Sequence, residues 1–68
     1  MNIYLVKEDG ETFCIKAKTM AQAISICEIS YLEEAEDEEK ENYNEQYSKV
    51  FYYENILQSC SLVGQLKN

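Results

Sequence analysis

The side chains in this sequence with reactive or ligating capacity are carboxylates, tyrosines and three cysteines, Cys14, Cys27 and Cys60. Histidine is missing, which removes the commonest general base, the commonest metal ligand and any ordinary nucleophile triad. Gly10 and Gly64 are the only glycines, too few for a phosphate-cradling loop or a dinucleotide fingerprint. The carboxylates are crowded: Glu28, Glu33, Glu34, Glu36, Asp37, Glu38, Glu39, Glu41 and Glu45 stand against the single base Lys40. A calcium hand needs alternating acids and a glycine at its sharp turn. The stretch from Glu33 to Glu45 contains no glycine, so diffuse cation condensation describes it better than a coordinated ion. The expectation is a protein that is not an enzyme and carries no metal and no cofactor.

What crowded carboxylates suit is docking on a basic surface. If the helix that begins near Thr19 continues past Leu32, then Glu34, Glu38, Glu41 and Glu45, at spacings of four, three and four, form one stripe. Residues three and four apart on a helix are about 5 to 6 Å from one another. That is comparable to the phosphate spacing of a nucleic acid, which carries about one charge per 1.7 Å of duplex axis. Such a row fits a groove built for phosphates, with Glu33, Glu36 and Asp37 beside it. Tyr43 and Tyr47 follow the acids and are the contact candidates, because tyrosine joins contact area to a hydrogen-bonding tip. Of Tyr52 and Tyr53, one is expected to pack on a sheet. The competing reading of the acids is a solvated face that only keeps the protein in solution. Like charges at i, i+4 each cost a helix about 0.2 to 0.5 kcal/mol, and carboxylates near a helix C-terminus oppose its dipole. The segment is therefore expected to be frayed unless salt or a basic surface neutralises it.

The net charge of −7, with no arginine, disfavours direct binding to nucleic acid or to an anionic membrane and points to a basic protein as partner. A hydrophobic content of 46% and an aromatic content of 12% are those of a chain that folds. At 68 residues the sequence reads as one domain, residues 1–68, with an acidic segment at 33–45. A domain of this size has marginal stability, which homodimerisation would raise. The cysteines are odd in number, far apart and follow no signal peptide, so they read as small core hydrophobes in a reducing cytoplasm. No apolar run approaches the roughly 20 residues needed to cross a bilayer.

The elements that must carry the acids are readable from periodicity. Residues Asn2 to Lys7 and Thr12 to Lys18 are rich in β-branched and aromatic types and flank Asp9-Gly10, the preferred centre of a type I′ hairpin turn. A two-residue turn there sets Val6 opposite Phe13 and Tyr4 opposite Ile15, so Tyr4, Val6, Phe13, Ile15 and Ala17 share the face that receives the helix. The other face, with Ile3, Leu5 and Cys14, is apolar enough to expect partial cover by the tail or a dimer mate. Thr19 and Gln22 stand in capping-box order ahead of Met20, Ala23, Ile24, Cys27 and Tyr31, with Ala35 at the margin of the same helical side. Ile26, Ile29 and Leu32 fall roughly opposite, where the C-terminal half, a second copy or a target must cover them. Val50 to Tyr53 and Ile56 to Leu66 are further apolar segments. The second alternates as a half-buried strand does, although Val50, Tyr53, Leu57 and Cys60 also fit a helix stripe. The predicted fold is α+β: an N-terminal β-hairpin and one or two C-terminal strands forming an antiparallel sheet on one amphipathic helix, in the order ββαβ(β).

The short hairpin and helix with its Asp9-Gly10 turn, the cluster Glu33-Glu34-Ala35-Glu36-Asp37-Glu38-Glu39, the tyrosines that follow and the lysine-only, asparagine- and isoleucine-leaning composition together resemble the small acidic phage-encoded inhibitors of bacterial defence, the anti-CRISPR proteins. The resemblance is one of style. It implies a stoichiometric inhibitor in the cytoplasm of a bacterial host, occupying a nucleic-acid channel of a defence nuclease complex. A small adaptor or regulatory homodimer, working through Ile26, Ile29 and Leu32 or through Ile3 and Leu5, is the alternative.

Overall fold

The Asp9-Gly10 turn closes a hairpin in the computed structural model, which describes residues 1–66. Both turn residues have positive φ, 48° at Asp9 and 80° at Gly10, as a type I′ turn requires. Strand β1 (Asn2–Glu8) pairs antiparallel with β2 (Glu11–Ala17) in the expected register, Val6 opposite Phe13 and Tyr4 opposite Ile15. Strand β3 (Leu57–Gln65) adds to the free side of β1, giving an antiparallel sheet of order β2-β1-β3. The register along β1 and β3 shifts at Ile3/Tyr4 and at Lys7/Glu8, so the regular pairing is confined to the run between. The fold is α+β, as expected, with one C-terminal strand among the described residues.

Helix α1 (Met20–Glu38) crosses one face of this sheet. Thr19 caps it: the threonine Oγ1 accepts from the Gln22 amide at 3.1 Å, and Gln22 Oε1 accepts in return from the Lys18 amide at 2.7 Å. The return bond reaches one residue further back than a capping box prescribes, and ties the helix to the end of β2. The buried core is Tyr4, Val6, Ala17, Ala23, Cys27 and Tyr52, with Ile15, Tyr31, Ile56, Leu57 and Cys60 packed around it. Tyr52 inserts among residues of the sheet and α1, so the C-terminal half supplies the largest fully buried side chain among the described residues. Phe13 and Met20, both expected in the core, are left at its rim, 38% and 42% exposed.

The segment after α1 departs from the expectation. The helix does not run through Glu45; it stops at Glu39, whose amide donates to the Ala35 carbonyl, and a turn follows in which the Asn42 amide donates to the Glu39 carbonyl. A second helix, α2 (Glu45–Phe51), begins at Asn44, whose side chain accepts from the Tyr47 amide at 2.9 Å. It widens into a π-helical turn (Tyr52–Ile56) before entering β3. The segment Val50 to Tyr53 is thus helical rather than a strand. The π turn is locked onto the hairpin by the Asp9 amide, which donates to the Ile56 carbonyl at 2.9 Å. Nor does the C-terminal half cover the far side of α1: Ile26 and Ile29 remain exposed and Leu32 is half-buried. On the other sheet face Ile3 and Leu5 are half-buried and Cys14 is exposed, with no helix over them among the described residues.

Candidate functional site

The expected four-glutamate stripe does not form. Glu34 and Glu38 lie on α1, Glu41 in the turn, and Glu45 in the first turn of α2. The turn at residues 39–42 breaks the periodicity that would have aligned them. α2 folds back against α1 instead, so the acids are sorted onto two sides of the last turns of α1.

One side carries Tyr31, Glu34, Ala35 and Glu38, at the i, i+3, i+4, i+7 positions of a helical face. With Glu39 and with Tyr47, Ser48 and Phe51 of α2 they line a cleft of about 240 Å³. Its aromatic walls are braced: the rings of Tyr47 and Phe51 lie 6.1 Å apart, and Tyr31 leans on the buried Tyr52 with ring centroids 5.2 Å apart. The opposite side carries Ile29, Leu32, Glu33 and Glu36, the same spacing two residues earlier and so about 160° around the helix. Together with Lys40, Tyr43 and Glu45 they line a shallower cleft of about 470 Å³. Among the expected site residues, Glu34, Glu38 and Tyr47 meet in the first cleft, and Glu33, Glu36, Tyr43 and Glu45 in the second. Asp37 and Glu41 line neither. Tyr31, Glu39, Ser48 and Phe51 belong to the site without having been expected there. Phe51, four residues after the expected Tyr47 and so on the same helix face, was the available signal.

The charged side chains of the first cleft are all acidic, and those of the second are acidic except for Lys40. The Tyr31 phenol is pushed up from its ordinary value by desolvation first and by the charges of Glu39 and Glu38 among others. The Tyr43 phenol is pushed up likewise, by desolvation first and then by Glu45 and Glu36. Among the described residues the one salt bridge is Lys49 to Glu45 at 3.5 Å on α2, so no lysine pairs with the acids of α1. Uncompensated carboxylates around aromatic rings make a receptor for ammonium or guanidinium groups, which gain from both the charge and the ring faces.

The remaining tyrosines are structural. The Tyr52 hydroxyl donates to Glu8 at 2.6 Å, and the Tyr53 hydroxyl donates to Glu28 on α1. No group of three histidine, cysteine or acidic side chains is placed to hold a metal among the described residues, and no described helix is long and apolar enough to cross a membrane. Comparison with protein-family models, with curated proteins and with solved structures finds no match.

Proposed function

We propose that this chain is a stoichiometric binding protein that docks its acidic end on the basic, nucleic-acid-binding surface of a partner protein and so keeps nucleic acid off it. The observation that carries this reading is the first cleft, where Glu34, Glu38 and Glu39 surround Tyr31, Tyr47 and Phe51 with no lysine among them. A lysine or arginine side chain that would grip a phosphate finds there a carboxylate for its charge and a ring for its stem. The second cleft adds Glu33, Glu36 and Glu45 beside Tyr43, three acids against the one base Lys40, so the end of α1 presents acid on both sides. In this reading the partner is the effector of a bacterial defence nuclease, the protein acts in the cytoplasm of a bacterial host, and the anti-CRISPR proteins are its functional counterparts.

Competition on a basic nuclease effector against labelled duplex DNA tests the proposal. The chain is expected to displace the DNA, less effectively as salt rises, because exposed charges are screened within about 10 Å at 0.1 M. Reversing Glu33, Glu34, Glu36 and Glu38 to lysine should abolish displacement with the circular dichroism unchanged. Undiminished displacement by that variant at low salt overturns the reading. The alternative, an adaptor gripping a partner through apolar surface, draws on the exposure of Ile29, 56%, beside Ile26 on α1; it predicts binding that salt does not weaken and that Ile29→Lys removes.

A further inference from the structure

The two edges of the sheet are protected unequally. Unpaired edge strands template association, and proteins ordinarily blunt them with charge, proline or bulges. The outer strand β2 carries Glu11 and Lys16. The outer strand β3 carries no charged side chain over its nine residues and lies within residues 55–66, the longest uncharged run in the chain. Its two bulge-like register shifts, opposite Ile3/Tyr4 and Lys7/Glu8, blunt only its ends and leave a regular stretch between them in which Lys7, Val6, Leu5 and Tyr4 pair with Ser59, Cys60, Ser61 and Leu62. Leu62 and Val63 on this edge are each about half exposed.

The placement of charge along the molecule decides what such an edge accepts. α1 starts beside Ala17, which pairs with Asn2, and runs toward the hairpin turn, where Tyr31 leans on Tyr52 and Tyr52 reaches Glu8. The acids of α1 therefore lie at the hairpin-turn end of a body 45 Å long. β3 runs the other way, from Leu57 opposite Glu8 to Gln65 opposite Asn2, and carries Leu62 and Val63 away from the acids.

We propose that β3 pairs antiparallel with β3 of a second copy of this chain, joining two three-stranded sheets into one of six strands. Antiparallel pairing about a two-fold axis sends the two acidic ends to opposite extremes of the dimer, where two bodies of charge −7 repel least. Parallel pairing would set them side by side. A neutral strand lies against its own copy with no like charges facing, which the edge of β2 does not offer. The inference is independent of the function proposed above and carries the opposite salt signature: salt weakens docking on a basic surface but strengthens association between like-charged copies.

Sedimentation of the full chain across concentration and salt tests it. A monomer–dimer transition is expected, moving to lower concentration as salt is added. Ser61 pairs with Leu5 and so faces the side of the sheet away from α1, where a lysine is tolerated in the monomer. Ser61→Lys should move the transition to about tenfold higher concentration, since like charges across strands are unfavourable and the two-fold axis doubles the effect. Ser59→Lys, on the same side, is the second variant if the first lowers helix and sheet content by circular dichroism. Ile29→Lys on α1 should leave the transition where it is. A monomer at every concentration and salt overturns the proposal. So does a dimer that the β3 lysines leave unmoved, or one that Ile29→Lys disrupts equally.

Discussion

Tyr52 ties three parts of the chain together: its ring fills the core, and its hydroxyl donates to Glu8 at the hairpin end of β1. Tyr52→Phe keeps the ring and removes a hydrogen bond to a carboxylate, a class of bond that contributes about 1.5 to 3 kcal/mol. Glu8 is half-buried and regains water, so the loss is expected near the lower bound, about 1.5 kcal/mol, read from urea unfolding. The same contact gives a pH signature. Desolvation first, and then the bond to Glu8 and its charge, push the Tyr52 phenol well above its ordinary value of 10.0. A group whose pKa is higher folded than unfolded contributes its stability fully below the unfolded value and loses it as pH rises toward the folded one. Stability should therefore fall progressively above pH 10.0, and Tyr52→Phe should flatten that limb. Unfolding midpoints across alkaline pH check both.

α1 contains a good beginning and a poor ending. Thr19 caps it, and Thr19→Ala should cost about 1 kcal/mol, measurable as a lowered unfolding midpoint at unchanged slope. Its last turn carries no base, and Glu34 and Glu38 repel at i, i+4 where the dipole also disfavours them. Glu38→Lys relieves both and should stabilise the fold by about 0.5 kcal/mol while weakening docking on a basic surface. A variant that gains stability and keeps full affinity would show that Glu38 takes no part in binding. The hairpin register, the cap and β3 were readable because each is fixed within a few residues: Asp9-Gly10 sets the turn, Thr19 and Gln22 set the start, alternation sets the strand. α2 was not. The acids from Glu33 to Glu45 hold no glycine or proline to mark a stop, and the Asn44 cap was hidden inside a run that reads as one continuous charged face. Both clefts depend on α2 turning back, so the acids and the two tyrosines at their rims could be named from the sequence, whereas Tyr31, Glu39, Ser48 and Phe51 and the grouping of them all could not.

As a single body the protein separates its properties along its length. The core is six side chains, in keeping with the small surface a chain of this length buries. That leaves apolar groups such as Ile26, Ile29 and Leu62 at the surface. The acids sit at one end and the uncharged strand runs toward the other. Raising salt from about 0.05 to 0.5 M should stabilise the isolated protein modestly by screening its like charges, an outcome thermal unfolding in the two buffers would check.

The back-folding of α2 also fixes the footprint. On the proposed function, a continuous helix through Glu45 would have lain lengthwise in a channel, whereas the blunt end of a body 21 by 16 Å in section would meet its target end-on. At about one charge per 1.7 Å of duplex, a target site of that width spans about a dozen phosphates. A plug of this size would stop a passage at its mouth, and would leave the rest of a long binding track open for a second molecule to occupy.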